Sequence, residues 1–247
     1  MEGALTPQRV ALVTGANTGI GLAIAERLVA DGYALGFGTR KPAEETVRRL
    51  AERGRVQQVI GELSDPDVPG RLVRETVEAF GRLDVLVNNA GVTLSKPALE
   101  LTADDFDTIF AVDVRGAFLA AQAAARAMGE EGGVIVNITS VHEYVPRPGF
   151  ALYAPAKAAL GMLTRALAIE LAPHVRVVSV APGAIATERN VEADSLRSEI
   201  PLQRAGSPQE VAALVAWVAS DEATYATGAS FLLDGGLAQH VFDHPAR

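Results

Sequence analysis

Arg9-Val10-Ala11-Leu12-Val13 runs directly into Thr14-Gly15-Ala16-Asn17-Thr18-Gly19-Ile20-Gly21, and Leu22 to Ala30 follows with helical spacing. A short apolar run, a glycine-rich turn and a helix form an arrangement that binds phosphate. The glycines let the backbone approach a pyrophosphate, and the helix N-terminus favours its negative charge. The glycines are spaced G-x-x-x-G-x-G rather than G-x-G-x-x-G. The strand–turn–helix context therefore carries the reading more than the glycine pattern does.

The same alternation continues outward from this stretch. Residues 33–38, 56–61, 84–87, 134–139, 175–180 and 230–233 are further short apolar runs. Helical patterns fill the gaps, over 43–53, from Pro66 through Phe80, over roughly 103–128 behind a capping Thr102, from near Leu152, and from Pro208 to about Ser220. Such continuous apolar runs read as strands of a buried parallel sheet. The 247 residues, 49% hydrophobic and 21% charged, suit one α/β domain over 1–247 with a large core. No internal repeat or low-complexity linker interrupts it.

Composition narrows the partners. A net charge of -8 disfavours nucleic acid. No apolar run reaches the roughly 18 residues of a membrane span, and the N-terminus lacks a signal pattern, so the expectation is a cytoplasmic protein with no membrane partner. There are no cysteines for disulfides or thiolate metal sites, and the four histidines, His142, His174, His240 and His244, are scattered. No metal site is expected.

The run 134–139 ends at Ser140, at the carboxyl end of a strand, where open α/β sheets place ligands. After a Pro- and Gly-bearing loop, Tyr153 and Lys157 lie four apart on the next helix and share one face. A free phenol, with a pKa of about 10, is a poor base near neutrality, and a neighbouring ammonium favours the phenolate. Tyr153 is then suited to exchange a proton with a substrate hydroxyl or carbonyl oxygen that Ser140 holds by a hydrogen bond. That apparatus interconverts an alcohol and a carbonyl and needs a hydride carrier. About 20 residues past the glycine turn, where an NAD site often presents an acid, the chain has Thr39-Arg40-Lys41. Two cations favour the 2′-phosphate of NADP over NAD; the plainer reading makes them solvated loop charges.

Together TGANTGIG at 14–21, NNAG at 88–91, Ser140 with YAPAK at 153–157, PG at 182–183 and DGG at 234–236 resemble the short-chain dehydrogenase/reductase family over about residues 9–236. The resemblance implies a Rossmann-type, doubly wound parallel sheet of seven strands in the order 3-2-1-4-5-6-7, with helices on both faces. It implies Tyr153 as catalytic acid/base, Lys157 as the group that lowers its pKa and holds the nicotinamide ribose, and Ser140 as the substrate-positioning hydroxyl. Cofactor contacts are expected from Gly15, Asn17, Thr18, Gly19, Ile20 and Gly21, from Arg40 and Lys41, and from Glu62 and Leu63. Asn89, Ala90 and Gly91 follow, then Pro182, Gly183, Ile185 and Thr187, with Thr187 at the nicotinamide carboxamide. The family is usually tetrameric or dimeric, so a homotetramer or homodimer is expected. The Ala-rich helices suit either a subunit interface or close packing within one subunit.

Two departures stand out. Asp113, a further candidate catalytic residue, occupies a position where the family commonly has an Asn that helps hold a water in a proton relay to the Lys; the main-chain carbonyl does part of that work and Asp keeps it, so the relay is expected to survive, with a carboxylate able to alter the pH profile. Glu62 replaces the Asp usual at the adenine contact. Ser140-Val141-His142-Glu143 and the stretches 182–190 and 221–228 look like the glucose 1-dehydrogenase branch. This makes His142, Glu143 and Asn190 candidate substrate contacts, with residues 188–206 as a mobile lid; His142 and Glu143 serve equally well as loop residues bonded within the subunit. The expected function is oxidation or reduction of a secondary alcohol/carbonyl pair, with a sugar as one substrate class. The rivals are a 3-oxoacyl-carrier-protein reductase and a cofactor-binding regulatory protein with weakened chemistry.

Overall fold

The structure, a computed structural model, describes residues 8–188, 190 and 193–239. The lead-in at 1–7, the tail from His240 onward with His244, and positions 189, 191 and 192 of the expected lid lie outside the described residues.

Seven strands form one parallel sheet: β1 (Val10–Thr14), β2 (Ala34–Thr39), β3 (Val56–Ile60), β4 (Val85–Asn88), β5 (Gly133–Ile138), β6 (Val175–Pro182) and β7 (Ser230–Leu233). Their order is β3-β2-β1-β4-β5-β6-β7, as the resemblance implied. The chain winds one way from β1 to β3 and the other from β4 to β7. The crevice between the carboxyl ends of β1 and β4 is therefore the switch point where such sheets bind ligands.

The central strands read as continuous apolar runs because both sides are covered. Every residue of β1, β2 and β4 is buried, while the edge strands β3 and β7 are partly exposed. On one face pack α1 (Gly19–Ala30), α2 (Glu44–Ala51) and α7 (Pro208–Ala219), around Ile24, Leu28, Phe37 and Val215. On the other lie α3 (Val68–Phe80), α5 (Ala117–Met128) and α6 (Tyr153–Glu170), around Leu12, Leu72, Leu86 and Ile135.

Capping fixes where helices begin. Thr102 accepts from the Asp105 amide and the Asp105 side chain accepts from the Thr102 amide, which starts α4 (Ala103–Phe110). Ser207 and Glu210 do the same for α7, with Pro208 at its first position. The single helix expected over 103–128 is continuous, but its middle is a π-helical turn, Ala111–Gly116, between α4 and α5. A π-turn carries an extra residue and re-aims the side chains it holds, commonly at functional sites. Ala120, Ala121 and Ala124 of α5 are buried in the core that α3 shares. On that face the small side chains serve packing within the subunit.

Candidate active site

The carboxyl ends of β1, β4, β5 and β6 open into a cleft of about 1420 Å³. Pockets for drug-sized ligands measure roughly 300–1,000 Å³, so this cleft has room for a dinucleotide with a substrate beside it. Every residue expected at the cofactor, from Gly15 to Thr187, lines it, as do Ser140, His142, Tyr153, Lys157 and Asn190.

The floor of the dinucleotide half is made of backbone held in place by amides. Gly15 has φ 65°, and a Cβ there would lie 2.8 Å from Ala90 Cα, so the turn and the end of β4 touch through a position only glycine fits. Asn89 fastens the same contact: its Nδ2 donates to the carbonyls of Thr14 at 2.9 Å and Gly15 at 3.1 Å. The amides of Asn89 and Ala90 both donate to Thr14 Oγ1 at 3.1 Å. Thr18, the N-cap of α1, makes no side-chain cap. The first-turn amides of α1 are left to face the cleft, as a pyrophosphate site requires. Arg40 and Lys41 stand at the rim beyond β2, and Arg40 Nη1 lies 3.6 Å from Glu62 Oε2. A glycine floor, a helix N-terminus and a cationic rim fit a nicotinamide dinucleotide.

The candidate reacting groups sit just past β5 and on α6. A buried polar chain fixes how α6 lies on the sheet. Asn88 Nδ2 donates to Asn137 Oδ1, Asn137 Nδ2 to Thr164 Oγ1, and Thr164 Oγ1 to the Leu160 carbonyl, each at 2.9 Å. Sequence reading missed Asn137 and Thr164; polar residues inside an apolar strand and a helix core were the available signal. Ser140, just past β5, is buried, and its Oγ accepts from the His142 amide at 3.2 Å, which leaves the hydroxyl proton to donate. Lys157 Nζ lies 5.6 Å from the centre of the Tyr153 ring and donates to the Ile138 carbonyl at 3.2 Å. Burial works against the Lys157 ammonium, but the Asp113 carboxylate, joined by the Tyr153 oxygen whenever that phenol is ionised, outweighs it and holds its pKa above the ordinary lysine value.

Asp113 projects from the π-turn into this group. Its Oδ1 accepts from the Val92 amide at 2.7 Å, and its Oδ2 is 3.0 Å from Lys157 Nζ. The ammonium and the carboxylate are thus in direct contact as an ion pair. The two side chains are only 0% and 5% exposed.

The part of the cleft beside Tyr153 holds an aromatic cluster, and Thr93, Ser95 and Arg147 line the cleft as well. The His142 ring stacks on Phe150 at 4.9 Å between centres and meets Tyr153 edge-on at 6.0 Å, and Phe150 tilts against Tyr153 at 5.6 Å. His142 Nδ1 is 2.9 Å from the Val145 carbonyl, so that nitrogen carries the proton and Nε2 is an acceptor. Burial, joined by the charge of Arg147, pushes the His142 pKa down against the Val145 hydrogen bond, which keeps the ring neutral. Val141, Val145 and Phe150 also line the cleft. Sequence reading did not select them, and their place between Ser140 and Tyr153 was the only signal.

Glu143 corrects an expectation. It does not line the cleft. The short 3-10 turn Val141–Glu143 points successive side chains apart, and Glu143 packs against Gly161 of α6 while Ser230 Oγ of β7 donates to its Oε2 at 3.1 Å. A Cβ on Gly161 would overlap that carboxylate. Asn190 lines the cleft, but its Nδ2 donates to the Ile185 carbonyl at 3.1 Å and its amide to Thr187 Oγ1 at 3.1 Å. It braces the loop that carries Thr187.

A family model described as enoyl-(acyl carrier protein) reductase matches residues 15–238. Oxidoreductase YohF of Escherichia coli (strain K12) is 43% identical over 242 residues, 93% of this chain and 95% of its own. Among solved structures, acetoin dehydrogenase from Enterobacter cloacae superposes with a TM-score of 0.89 at 42% identity, covering 99% of this chain and 100% of that one. A short chain dehydrogenase from Burkholderia cenocepacia J2315 in complex with NADP gives 0.87 at 40% identity, with 94% and 98% covered.

Proposed function

Because the chain belongs to the short-chain dehydrogenase/reductase family, we propose that it is an NADP-preferring oxidoreductase that interconverts a compact secondary alcohol and its carbonyl. The observation that carries this reading is the meeting of Ser140, Tyr153 and a charged, buried Lys157 at the floor of a cleft of dinucleotide size.

Each residue has a role in the proposed reaction. Ser140 Oγ donates to the substrate oxygen and fixes it beside the Tyr153 hydroxyl. Tyr153 gives its proton to that oxygen in reduction and takes it back in oxidation. Lys157 offers its ammonium to the nicotinamide ribose and to the phenol. When bound, the nicotinamide supplies or accepts the hydride at the substrate carbon. Thr187 holds the carboxamide end. Arg40 and Lys41 support NADP, as does the NADP complex of the relative.

The cleft wall supports a small substrate over a hexose. With Glu143 turned away, His142 Nε2 is an acceptor beside the apolar side chains of Phe150, Val141 and Val145. That suits one hydroxyl next to the reacting carbon, as in an α-hydroxyketone, and the acetoin dehydrogenase relative acts on a molecule of that kind by its name. Phe118, Met162 and Ile169 are exposed on α5 and α6 and support a homo-oligomer.

The test is reduced-nicotinamide absorbance during turnover, with NADP and NAD in parallel. Acetoin, diacetyl, D-glucose, simple ketones and a 3-oxoacyl thioester form the panel. Turnover of the small hydroxyketone or diketone is expected. Thioester reduction without it moves the protein to the acyl branch, and glucose oxidation without it restores the sugar reading. Bound cofactor without any turnover favours a regulatory protein.

A further inference from the structure

The π-turn at Ala111–Gly116 exists at some cost in helix regularity, and what it delivers is a carboxylate beneath the catalytic lysine. The end of β4 is shaped to receive it. A Cβ on Gly91 would stand 3.0 Å from Asp113 Oδ2 and 3.2 Å from Lys157 Nζ, so the glycine of the NNAG stretch clears the space where the two charges meet. The Val92 amide then holds the other carboxylate oxygen. Three separate pieces of chain, from the π-turn, the end of β4 and α6, converge on one buried pair.

The other charged and titratable groups around this pair are accounted for. From the turn after β5, His142 meets the Tyr153 ring edge-on and is neutral. Arg147 sits one ring further out, over Phe150 at 5.9 Å. Glu143 lies against Gly161, one turn along α6 from Lys157, and its partner is Ser230. From β5, Lys157 meets a backbone carbonyl. Asp113 is thus the one counter-charge in direct contact with Lys157 among the described residues.

We propose that Asp113 is a positioning residue that neutralises Lys157 and so weights the site toward donating a proton, the direction of carbonyl reduction. This rests on Tyr153 being the acid/base group of the proposed reaction. An ammonium next to a phenol favours the phenolate, and a carboxylate 3.0 Å from that ammonium takes most of the effect away. An asparagine at this position would leave the ammonium uncompensated. Carbonyl reduction needs Tyr153 protonated and fails as pH rises; alcohol oxidation needs it deprotonated and fails as pH falls. The carboxylate moves both limits to higher pH, which widens the range for reduction and confines oxidation to alkaline conditions.

The test is an ultraviolet titration of phenolate in the NADP-saturated protein, comparing wild type with D113N. The spectrum of the Tyr153→Phe protein is subtracted to remove Tyr33, Tyr144 and Tyr225. The Tyr153 midpoint is expected to fall by about one pH unit in D113N, the size of effect a close opposite charge exerts. The acid limb of the oxidation profile should fall with it. D113S provides a second charge-free variant if D113N does not fold. A residue that only shapes the backbone would change cofactor affinity and leave the midpoint where it was. An unmoved or raised midpoint overturns the proposal. Because the titration needs no substrate, it reads Asp113 even if the substrate panel is silent, and silence there counts against the reaction assigned above.

Discussion

Arg40 and Glu62 face each other across the rim of the cleft, with Nη1 3.6 Å from Oε2. Both side chains are largely exposed, so the pair adds little to stability. In the proposed reading its effect is on the cofactor: a 2′-phosphate arriving at Arg40 would compete with a carboxylate already there. Arg40→Ala is expected to weaken NADP binding by about 10- to 100-fold, the loss of one charge-assisted hydrogen bond, with NAD nearly unchanged. Glu62→Gln should sharpen the preference for NADP. Fluorescence titration with both reduced cofactors checks this, and equal effects on the two reject the phosphate reading.

Replacing Tyr153 by Phe removes one oxygen and leaves the ring against His142 and Phe150. The rate constant should drop by at least the roughly 10²–10⁴-fold that positioned acid–base catalysis contributes, and cofactor affinity should stay within a few fold. Steady-state kinetics beside a binding titration separates the two. Retained turnover would remove Tyr153 from the mechanism.

At Gly91 the added methyl of Gly91→Ala presses on Asp113 and Lys157 together. A fall of about tenfold in kcat is expected, the factor that about 1.4 kcal/mol of transition-state stabilisation represents. The melting temperature should move little, because no strand residue is displaced. A large drop in melting temperature with normal kcat would mean the contact is structural.

Acid should loosen two helix starts. The Asp105 carboxyl is held at about 2, below its ordinary 3.8, first by Lys96 and then by the Thr102 amide; Glu210 is held at about 2, below 4.5, first by Arg204 and then by Ser207. Carboxyls with lowered folded-state values stabilise fully above their ordinary values and lose that contribution as pH falls toward 2. Thermal melts from pH 5 to 2 should show Glu210→Gln less stable than wild type at the upper end and the gap closing at the lower. Ser207→Ala should cost about 1 kcal/mol. A gap that is constant with pH would deny the carboxylate this role.

The sheet was legible in the sequence because buried parallel strands are continuous apolar runs and the glycine turn marks the first of them. Ser140, Tyr153 and Lys157 were legible because strand end and helix spacing bring them together without long-range information. Asp113 was visible as a residue but not as a partner. Its contact with Lys157 needs a π-turn, which helix propensity does not encode, and a glycine 22 positions earlier. Glu143 misled because side-chain direction in a loop follows the local turn. The 3-10 geometry of Val141–Glu143 sends it toward Gly161 while its neighbour His142 faces the cleft.

The two halves of the cleft are built differently. The dinucleotide half is backbone at the ends of two central strands, tied by the Thr14 hydroxyl and the Asn89 amide to the main chain of Thr14, Asn89 and Ala90, and altering it means altering the sheet. The other half rests on side chains from the stretches that follow β5 and β6, among them His142, Val145 and Phe150, and Ile185, Leu196 and Glu199. Those stretches can be exchanged as cassettes. A graft from a relative of different appetite would carry its selectivity across while the redox chassis beneath, with its own proton setting, stayed as it is.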